Sequence, residues 1–376
     1  MKKLHLTSPC HFGLEKTLSF ELKRAGGENL EVTDGRVNFT GTAETLVRAN
    51  LSCSVAERVG VVLAQFRART FDDVFENVQS IAIGEYLPVD GAFSVVKGQS
   101  VSSKLTSIPA LQRTVKKALV QAMSRCHNAS NLPETGALYP VRFFLHKDEM
   151  TVFLDSSGEG LHKRGYRAKS VTAPIKETLA AGIIDIAGFG RKGAVTLADP
   201  FCGSGTILIE AAFKALKIPP CLNRGFAAEH WGFIPREIWR EQREILRSEI
   251  VQDSDFAAFG YDCDPEAVRL TLENARKAGV AEYIHAETRA IADFAYPESA
   301  STCTVITNPP YAERMLEREE ARLIYRTMGE KLLPLGDNRL FVITSDEQFE
   351  TLFGQKARRN RKLYNGMLMC RLYNYE

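Results

Sequence analysis

The tetrapeptide Asn308-Pro309-Pro310-Tyr311 directly follows the apolar run Thr304-Val305-Ile306-Thr307 and combines residue types suited to handling an amine. A strand that ends in a rigid turn at the carboxyl edge of an α/β sheet sits where ligands bind. Two adjacent prolines fix φ and lack N–H groups, so the turn presents oriented carbonyl acceptors. An amino group conjugated with an aromatic base is a poor nucleophile, because its lone pair is delocalised into the ring. Accepting its two hydrogens at the Asn308 side-chain oxygen and at a prolyl carbonyl favours the pyramidal geometry that exposes the lone pair, and stabilises the developing positive charge. Tyr311 can stack on the base and hold the amine in line, a proximity effect that needs no general base. A Pro-Pro turn that is only structural would leave the flanking Asn and Tyr coincidental.

The second chemical signal is Asp199-Pro200-Phe201-Cys202-Gly203-Ser204-Gly205-Thr206, set between the apolar run 194–198 and a helical pattern over 207–216. Such a strand, glycine turn and helix let the backbone approach a ligand closely and aim the N–H groups of a helix amino terminus at an anion. The turn lacks the Lys-Ser/Thr ending of a phosphate-binding loop and is not the Gly-x-Gly-x-x-Gly dinucleotide pattern. The methionine carboxylate of S-adenosylmethionine suits it better than a nucleotide phosphate. The next apolar strand, 256–261, ends in Asp262-Cys263-Asp264-Pro265. An acid at the end of the second strand is where ribose hydroxyls are gripped, so Asp262 is the expected ribose ligand, with Cys263 beside the adenine. Asp264-Pro265 reads as the cap and first residue of a helix over 266–277.

These corners need a sheet and helices to position them. From residue 174 onward, helical and strand patterns alternate as in a doubly wound α/β domain, beginning with a helix over 174–189. An insertion at 217–255 separates the glycine turn from Asp262; it contains Asn223-Arg224-Gly225-Phe226 and His230-Trp231, which could line a substrate mouth or merely pack. Asn365-Gly366 marks a tight hairpin that joins the last two strands. The first half reads as strand, helix, strand, strand, with Gly26-Gly27 stopping the helix, and then short strands mixed with helices, an opening like half of a ferredoxin-like unit. A helix over 108–123 buries Leu111, Val115, Ala118, Leu119 and Ala122 on one face and puts Arg113, Lys116 and Lys117 elsewhere, with Lys97 and Lys104 upstream. Those cations could contact phosphates or form a solvated face. The run Lys356, Arg358, Arg359, Arg361 and Lys362 carries the same choice, and phosphate contact is favoured because it lies in the catalytic half. The domain boundary is placed in a polar stretch, giving 1–165 and 166–376.

The composition, 44% hydrophobic and 25% charged, is that of an ordinary globular protein, and a net charge of +2 is too small for the whole-molecule field to attract a polyanion. The eight cysteines include no pair at the two-residue spacing of a zinc or redox site, so no metal is expected and reduced thiols in a cytoplasmic setting are the simplest reading. No stretch is long and apolar enough to span a bilayer, and no internal repeat is evident.

At Asp199 to Thr206 and Asn308 to Tyr311 the sequence resembles class I S-adenosylmethionine-dependent amino-methyltransferases. Most of the chain, including Arg164-Gly165-Tyr166-Arg167, 173–180 and the region 97–119, is similar to the THUMP-containing RNA guanine-N2 methyltransferases, among them the bacterial 23S ribosomal RNA enzymes. The resemblance implies a ferredoxin-like and THUMP RNA-binding region, then a Rossmann-like class I methyltransferase domain with a mostly parallel seven-stranded sheet ending in an antiparallel hairpin. It implies that Pro174 and Thr178 border a pocket lined by Asp199, Pro200, Cys202, Gly203, Ser204, Gly205, Thr206, Asp262 and Cys263. It implies structured RNA as partner, ribosomal RNA or transfer RNA. The acid commonly found after the third strand is absent near Arg289-Ala290-Ile291, and Asp293 is offset. The competing readings are transfer RNA guanine-N2 methylation, DNA adenine-N6 methylation, glutamine methylation in a protein and a non-catalytic RNA-binding assembly factor.

Overall fold

Leu4 and Leu6 alternate into the interior along β1 (Leu4–Pro9), and Leu18 and Leu22 recur at helical spacing on α1 (Glu15–Arg24). The computed structural model describes residues 2–96, 98–167, 175–189, 195–297, 301–310, 315–366 and 368–376, without the side chains of 315–318 and 320. Three candidate site residues, Lys97, Pro174 and Tyr311, lie outside the described residues.

The chain continues through β2 (Glu28–Thr33), β3 (Arg36–Gly41), α2 (Ala43–Ser52), β4 (Gly60–Arg67), α3 (Phe71–Gln79), β5 (Ala92–Val95), β6 (Gln99–Val101), α4 (Ile108–His127), β7 (Leu138–His146) and β8 (Glu149–Asp155). Thr42 and Thr70 start α2 and α3 with capping boxes, which satisfy amide groups a helix end otherwise leaves unpaired. The strands form one sheet in the order β2-β3-β1-β4-β8-β7-β5, with β6 on β7. α4 buries the five apolar residues expected of it. The sequence reading did not anticipate β5 and β6, which at four and three residues are too short for alternation to register.

The second half comprises α5 (Glu177–Ile186), β9 (Thr196–Asp199), α6 (Thr206–Ala215), α7 (Arg236–Ser248), β10 (Ala257–Asp262), α8 (Pro265–Ala278), β11 (Ile284–Thr288), β12 (Thr304–Thr307), α9 (Met315–Leu332), β13 (Arg339–Thr344), α10 (Phe349–Phe353), β14 (Arg359–Asn365) and β15 (Leu368–Tyr375). Its seven strands run β11-β10-β9-β12-β13-β15-β14. The first five are parallel, and β15 is antiparallel to both β13 and β14. This is the class I methyltransferase sheet. A core of Tyr325, Met328, Leu332, Phe349, Phe353, Tyr373 and Tyr375 packs α9 and α10 on it.

The chain folds as two compact units that are not consecutive in sequence: 1–9, 19–161 and 224–245 form one, and 10–18, 162–223 and 246–376 the other. A single cut at 165/166 therefore does not separate them. Apolar burial is the reason that part of the insertion belongs to the first unit. Trp231 stacks on Tyr139 with ring centroids 5.2 Å apart and donates its indole N–H to the Leu138 carbonyl at 3.0 Å, while Phe226 stacks on Trp239 at 4.9 Å. Trp231 and Phe226 are thus packing residues of the insertion.

Candidate active site

β9 ends at Asp199, and at this strand the sheet order reverses, with β10 and β11 on one side and β12 and β13 on the other. Strands that lead their connections opposite ways open a crevice at their carboxyl ends. The glycine turn occupies that position. Gly203 and Gly205 have φ of +54° and +79°, where an L side chain is strained. A Cβ on Gly205 would also lie 2.8 Å from Thr271 Cγ2 on α8, so the turn rests directly on that helix. Thr271 Oγ1 donates to the Gly203 carbonyl at 2.9 Å, Asn274 Nδ2 donates to the Ser204 carbonyl at 3.0 Å, and the Gly203 N–H donates to Asp262 Oδ2 at 3.0 Å. Among the described residues no side chain caps α6. Its first amides could therefore receive an anion close to the Asp262 carboxylate, which is suited to a diol, and the residues present fit a carboxylate-bearing nucleoside.

Several expected side chains have definite places. Asp262 also accepts from the Asp264 N–H, and Asp264 caps α8 through Glu266 N at 2.9 Å, with Pro265 first in the helix. Cys202 packs its thiol against Gly260, where a Cβ would approach the sulfur to 3.1 Å, and burial raises its pKa well above the ordinary range. It lines the turn from beneath and is not a nucleophile. Cys263 is exposed at the end of β10. Thr178 is fully buried in the first turn of α5, with its hydroxyl 3.3 Å from His11 Nε2.

The Asn308 corner is held from both sides. The ladder between β9 and β12 pairs Thr304 with Leu197 and Val305 with Ala198. Past it, where the strands part, Thr307 Oγ1 donates to Asp199 Oδ1 at 2.7 Å, and the same oxygen accepts from the Phe201 N–H at 3.0 Å. On the other side, the Tyr325 hydroxyl lies 3.3 Å from the Pro310 carbonyl and 3.1 Å from Thr344 Oγ1. The sequence reading missed Tyr325, Thr271 and Asn274. They sit inside amphipathic helices, where a polar residue that supports a turn looks like any other.

Burial raises the Asp199 carboxyl to about 7, against the lowering effect of Thr307 and the Phe201 N–H, and Asp262 adds to the rise. Because the folded value lies above the unfolded one, the favourable contribution is fully present below the unfolded value near 3.8 and is lost as pH rises through about 7. Asp199→Asn removes this titration. Thermal melts of the ligand-free protein should show the variant gaining on the wild type as pH rises from 5 to 8; parallel pH profiles would rule out this assignment.

Arg164, Tyr166 and Arg167 fall in a buried ionic cluster that braces α6. Arg164 meets Glu210 with two bonds of 3.3 and 3.4 Å, and both side chains are 1% exposed. The Tyr166 hydroxyl donates to Glu210 at 3.1 Å. Arg167 donates to Thr206 Oγ1 and to the Ile175 carbonyl, both at 3.2 Å, and pairs with Glu177 at 2.7 Å. Arg167 thereby ties Ile175 and Glu177 to the start of α6.

Among the basic candidates, Lys104, Arg113 and Lys117 are exposed. Lys116 is tied into the fold, donating to the Phe93 carbonyl at 2.7 Å and to Glu134 at 2.8 Å. Lys356, Arg358, Arg359 and Arg361 are exposed, and Arg358 lies 3.9 Å from Glu376. A groove of about 770 Å³ lined by Phe259, Tyr261, His285, Arg289 and Tyr296 opens on the β10–β11 face. Gly260, between Phe259 and Tyr261, faces Cys202, so the groove lies on the opposite face of β10 from that thiol. Among the described residues no group of three or more His, Cys, Asp or Glu could hold a metal ion, and no helix is long and apolar enough to cross a membrane.

Comparison with known proteins agrees with this architecture. The chain is 38% identical to "Putative RNA methyltransferase YpsC" of Bacillus subtilis (strain 168), covering 100% of this chain and 96% of that one. It is 35% identical to the ribosomal RNA large subunit methyltransferase K/L of Syntrophotalea carbinolica over 97% of its own length but 52% of the relative, and so spans about half the length of such relatives. Among solved structures, a "predicted N6-adenine-specific DNA methylase" from Listeria monocytogenes str. 4b F2365 is 37% identical with a TM-score of 0.90, covering 100% of this chain and 97% of that one. SMU.472, "a putative methyltransferase complexed with SAH", is 35% identical with a TM-score of 0.91, covering 100% and 98%. Residues 5–60 match the RlmL ferredoxin-like domain and 68–155 the THUMP domain. With residues 164–374 matching the RMKL-like methyltransferase domain, the chain belongs to the THUMP-containing RMKL-like methyltransferase family.

Proposed function

We propose that this protein transfers the methyl group of S-adenosylmethionine to an exocyclic amino nitrogen of a base in structured RNA, with guanine N2 of 23S ribosomal RNA as the favoured target. The observation that carries this reading is the bond from Thr307 to Asp199, which fastens the Asn308 corner to the glycine turn where the strand order reverses. The α6 terminus with Gly203, Ser204, Gly205 and Thr206 would receive the methionine carboxylate, Asp262 the ribose hydroxyls, and Cys263 would lie beside the adenine, with Asp199, Pro200, Pro174 and Thr178 bordering the pocket. The bound cofactor supplies an electrophilic methyl group, so no nucleophilic side chain is required. The protein's task is to place the amine. Asn308 Oδ1 takes one hydrogen; because the Pro310 carbonyl faces Tyr325, the Pro309 carbonyl is assigned the other, and Tyr311 stacks on the base.

The S-adenosylhomocysteine in the SMU.472 structure supports the cofactor, and the THUMP match with the K/L relatives supports ribosomal RNA. The name of the Listeria relative favours a second reading, adenine N6 in DNA, since the corner suits either amine. To test both, the protein is incubated with labelled S-adenosylmethionine and, separately, unmodified 23S ribosomal RNA, transfer RNA and duplex DNA, and the digested nucleosides are identified. N2-methylguanosine from the ribosomal RNA is expected. N6-methyladenine from DNA would put the second reading in its place, and no product from any substrate would overturn both.

The ribose assignment has its own test. Asp262→Ala should weaken S-adenosylhomocysteine binding by roughly ten- to a hundredfold, as loss of hydrogen bonds to a charged acceptor does. An unaltered dissociation constant by calorimetry would refute it.

A further inference from the structure

The register of the second sheet sorts the carboxyl-terminal cations in a way their sequence order does not. Thr307 pairs with Val342, Val342 with Tyr373, and Tyr373 with Asn360, so Asn360 lies level with the carboxyl end of β12. Lys356 and Arg358 precede β14 in the chain, and Arg358, whose N–H donates to the Asn374 carbonyl, lies towards the amino edge, away from the candidate site. Lys362, paired with Arg371, lies beyond that level, and Tyr364 follows four residues past Asn360. At about 3.3 Å per residue, Tyr364 therefore stands roughly 13 Å past the end of β12, on the edge of the sheet where the cofactor turn and the Asn308 corner lie.

Paired residues and residues two apart share a face, so Lys362, Tyr364, Met369 and Arg371 point the same way. Tyr373, on that face, is covered by Phe349 of α10. The four residues nearer the tip are exposed or half-buried. Phe12, 44% exposed, meets Tyr364 edge-on with ring centroids 5.9 Å apart, and the Lys362 ammonium lies 5.4 Å from the Tyr364 ring centre. This contact depends on Gly13, at φ +92°: a Cβ there would come 3.0 Å from the Lys362 carbonyl, so only glycine lets the segment lie against edge strand β14. Among the described residues neither Lys362 nor Arg371 forms an ion pair, and Arg371 donates to Asn360 Oδ1 at 3.2 Å. Charge on an edge strand can serve simply to block strand pairing, but that role does not call for two partly exposed aromatic rings beside it.

We propose that Phe12, Tyr364, Lys362 and Arg371 form a stacking and phosphate-contacting platform for unpaired nucleotides that flank the target base. Stacking on an aromatic ring tolerates any base, and the cations take the adjoining phosphates. The platform rests on the RNA reading above and assigns the hairpin tip, rather than Lys356 and Arg358, to the substrate.

The test measures binding of a fluorescein-labelled uridine 12-mer to the full chain against salt concentration, with S-adenosylhomocysteine affinity and melting temperature recorded for each variant. Tyr364→Ala with Phe12→Ala should weaken binding about tenfold or more with an unchanged salt slope, and Tyr364→Phe should retain it. Lys362→Gln with Arg371→Gln should reduce the slope by about one to two, and Lys356→Gln with Arg358→Gln should leave it as in the wild type. Wild-type binding that the aromatic pair does not affect, or an equal slope change at Lys356 and Arg358, overturns the platform alone. A wild type that binds neither this oligonucleotide nor 23S ribosomal RNA overturns the RNA reading together with it.

Discussion

Asn308→Ala is expected to lower kcat for methyl transfer by about a hundred- to a thousandfold, the loss that follows removal of one preorganised polar group from a transition-state site. S-adenosylhomocysteine binding should be unchanged, because the residues proposed to grip the nucleoside belong to the glycine turn and β10. The asymmetry follows from the chemistry. In the proposed mechanism Asn308 would act on an amine whose lone pair is freed only as the new bond forms, so its hydrogen bond would be stronger in the transition state than in the ground state. Single-turnover rates with saturating RNA, together with calorimetry of the nucleoside, separate the two quantities. Undiminished turnover would remove Asn308 from the mechanism; a parallel loss of nucleoside affinity would mean that the substitution had disturbed the cofactor turn.

Glu210→Ala should produce the largest loss of stability, about 3–5 kcal/mol, because it strands a buried guanidinium. Arg164 is 1% exposed and its charge is met by Glu210. Burial raises the pKa of both Glu210 and Tyr166, so the cluster is held by mutual compensation rather than by solvent. Replacing Arg164 and Glu210 together with leucine should recover most of the loss, since a buried pair exchanged for apolar side chains is often neutral. Urea unfolding of the single and double variants checks this. Equal destabilisation in both would show that Glu210 acts by filling space.

The two motifs were more legible than the residues that support them. Asp199 to Thr206 and Asn308 to Tyr311 stood out because glycine and proline in such density after apolar strands have few structural explanations, and the seven-stranded order places their strands side by side. Asp264 as a helix cap was equally readable, since capping is local. Long-range effects were not readable. Nothing in the spacing indicates that Tyr325 reaches the Pro310 carbonyl, that Arg164 pairs with Glu210, or that Trp231 stacks on Tyr139 within the first unit. The basic run 356–362 showed the converse limit: its charge was plain in the sequence, yet which members stand at the carboxyl edge of the sheet depends on strand register, and Lys362 stands there with Arg371, which the run itself does not contain.

A crystal structure of the protein with S-adenosylhomocysteine tests the central claim most directly. The account predicts the amino-acid end of the ligand at the amino terminus of α6, its ribose on Asp262, and its sulfur facing Asn308 across the Asp199–Thr307 bond. A ligand seated instead in the groove lined by Phe259, Tyr261 and His285, or one whose sulfur points away from Asn308, would contradict it.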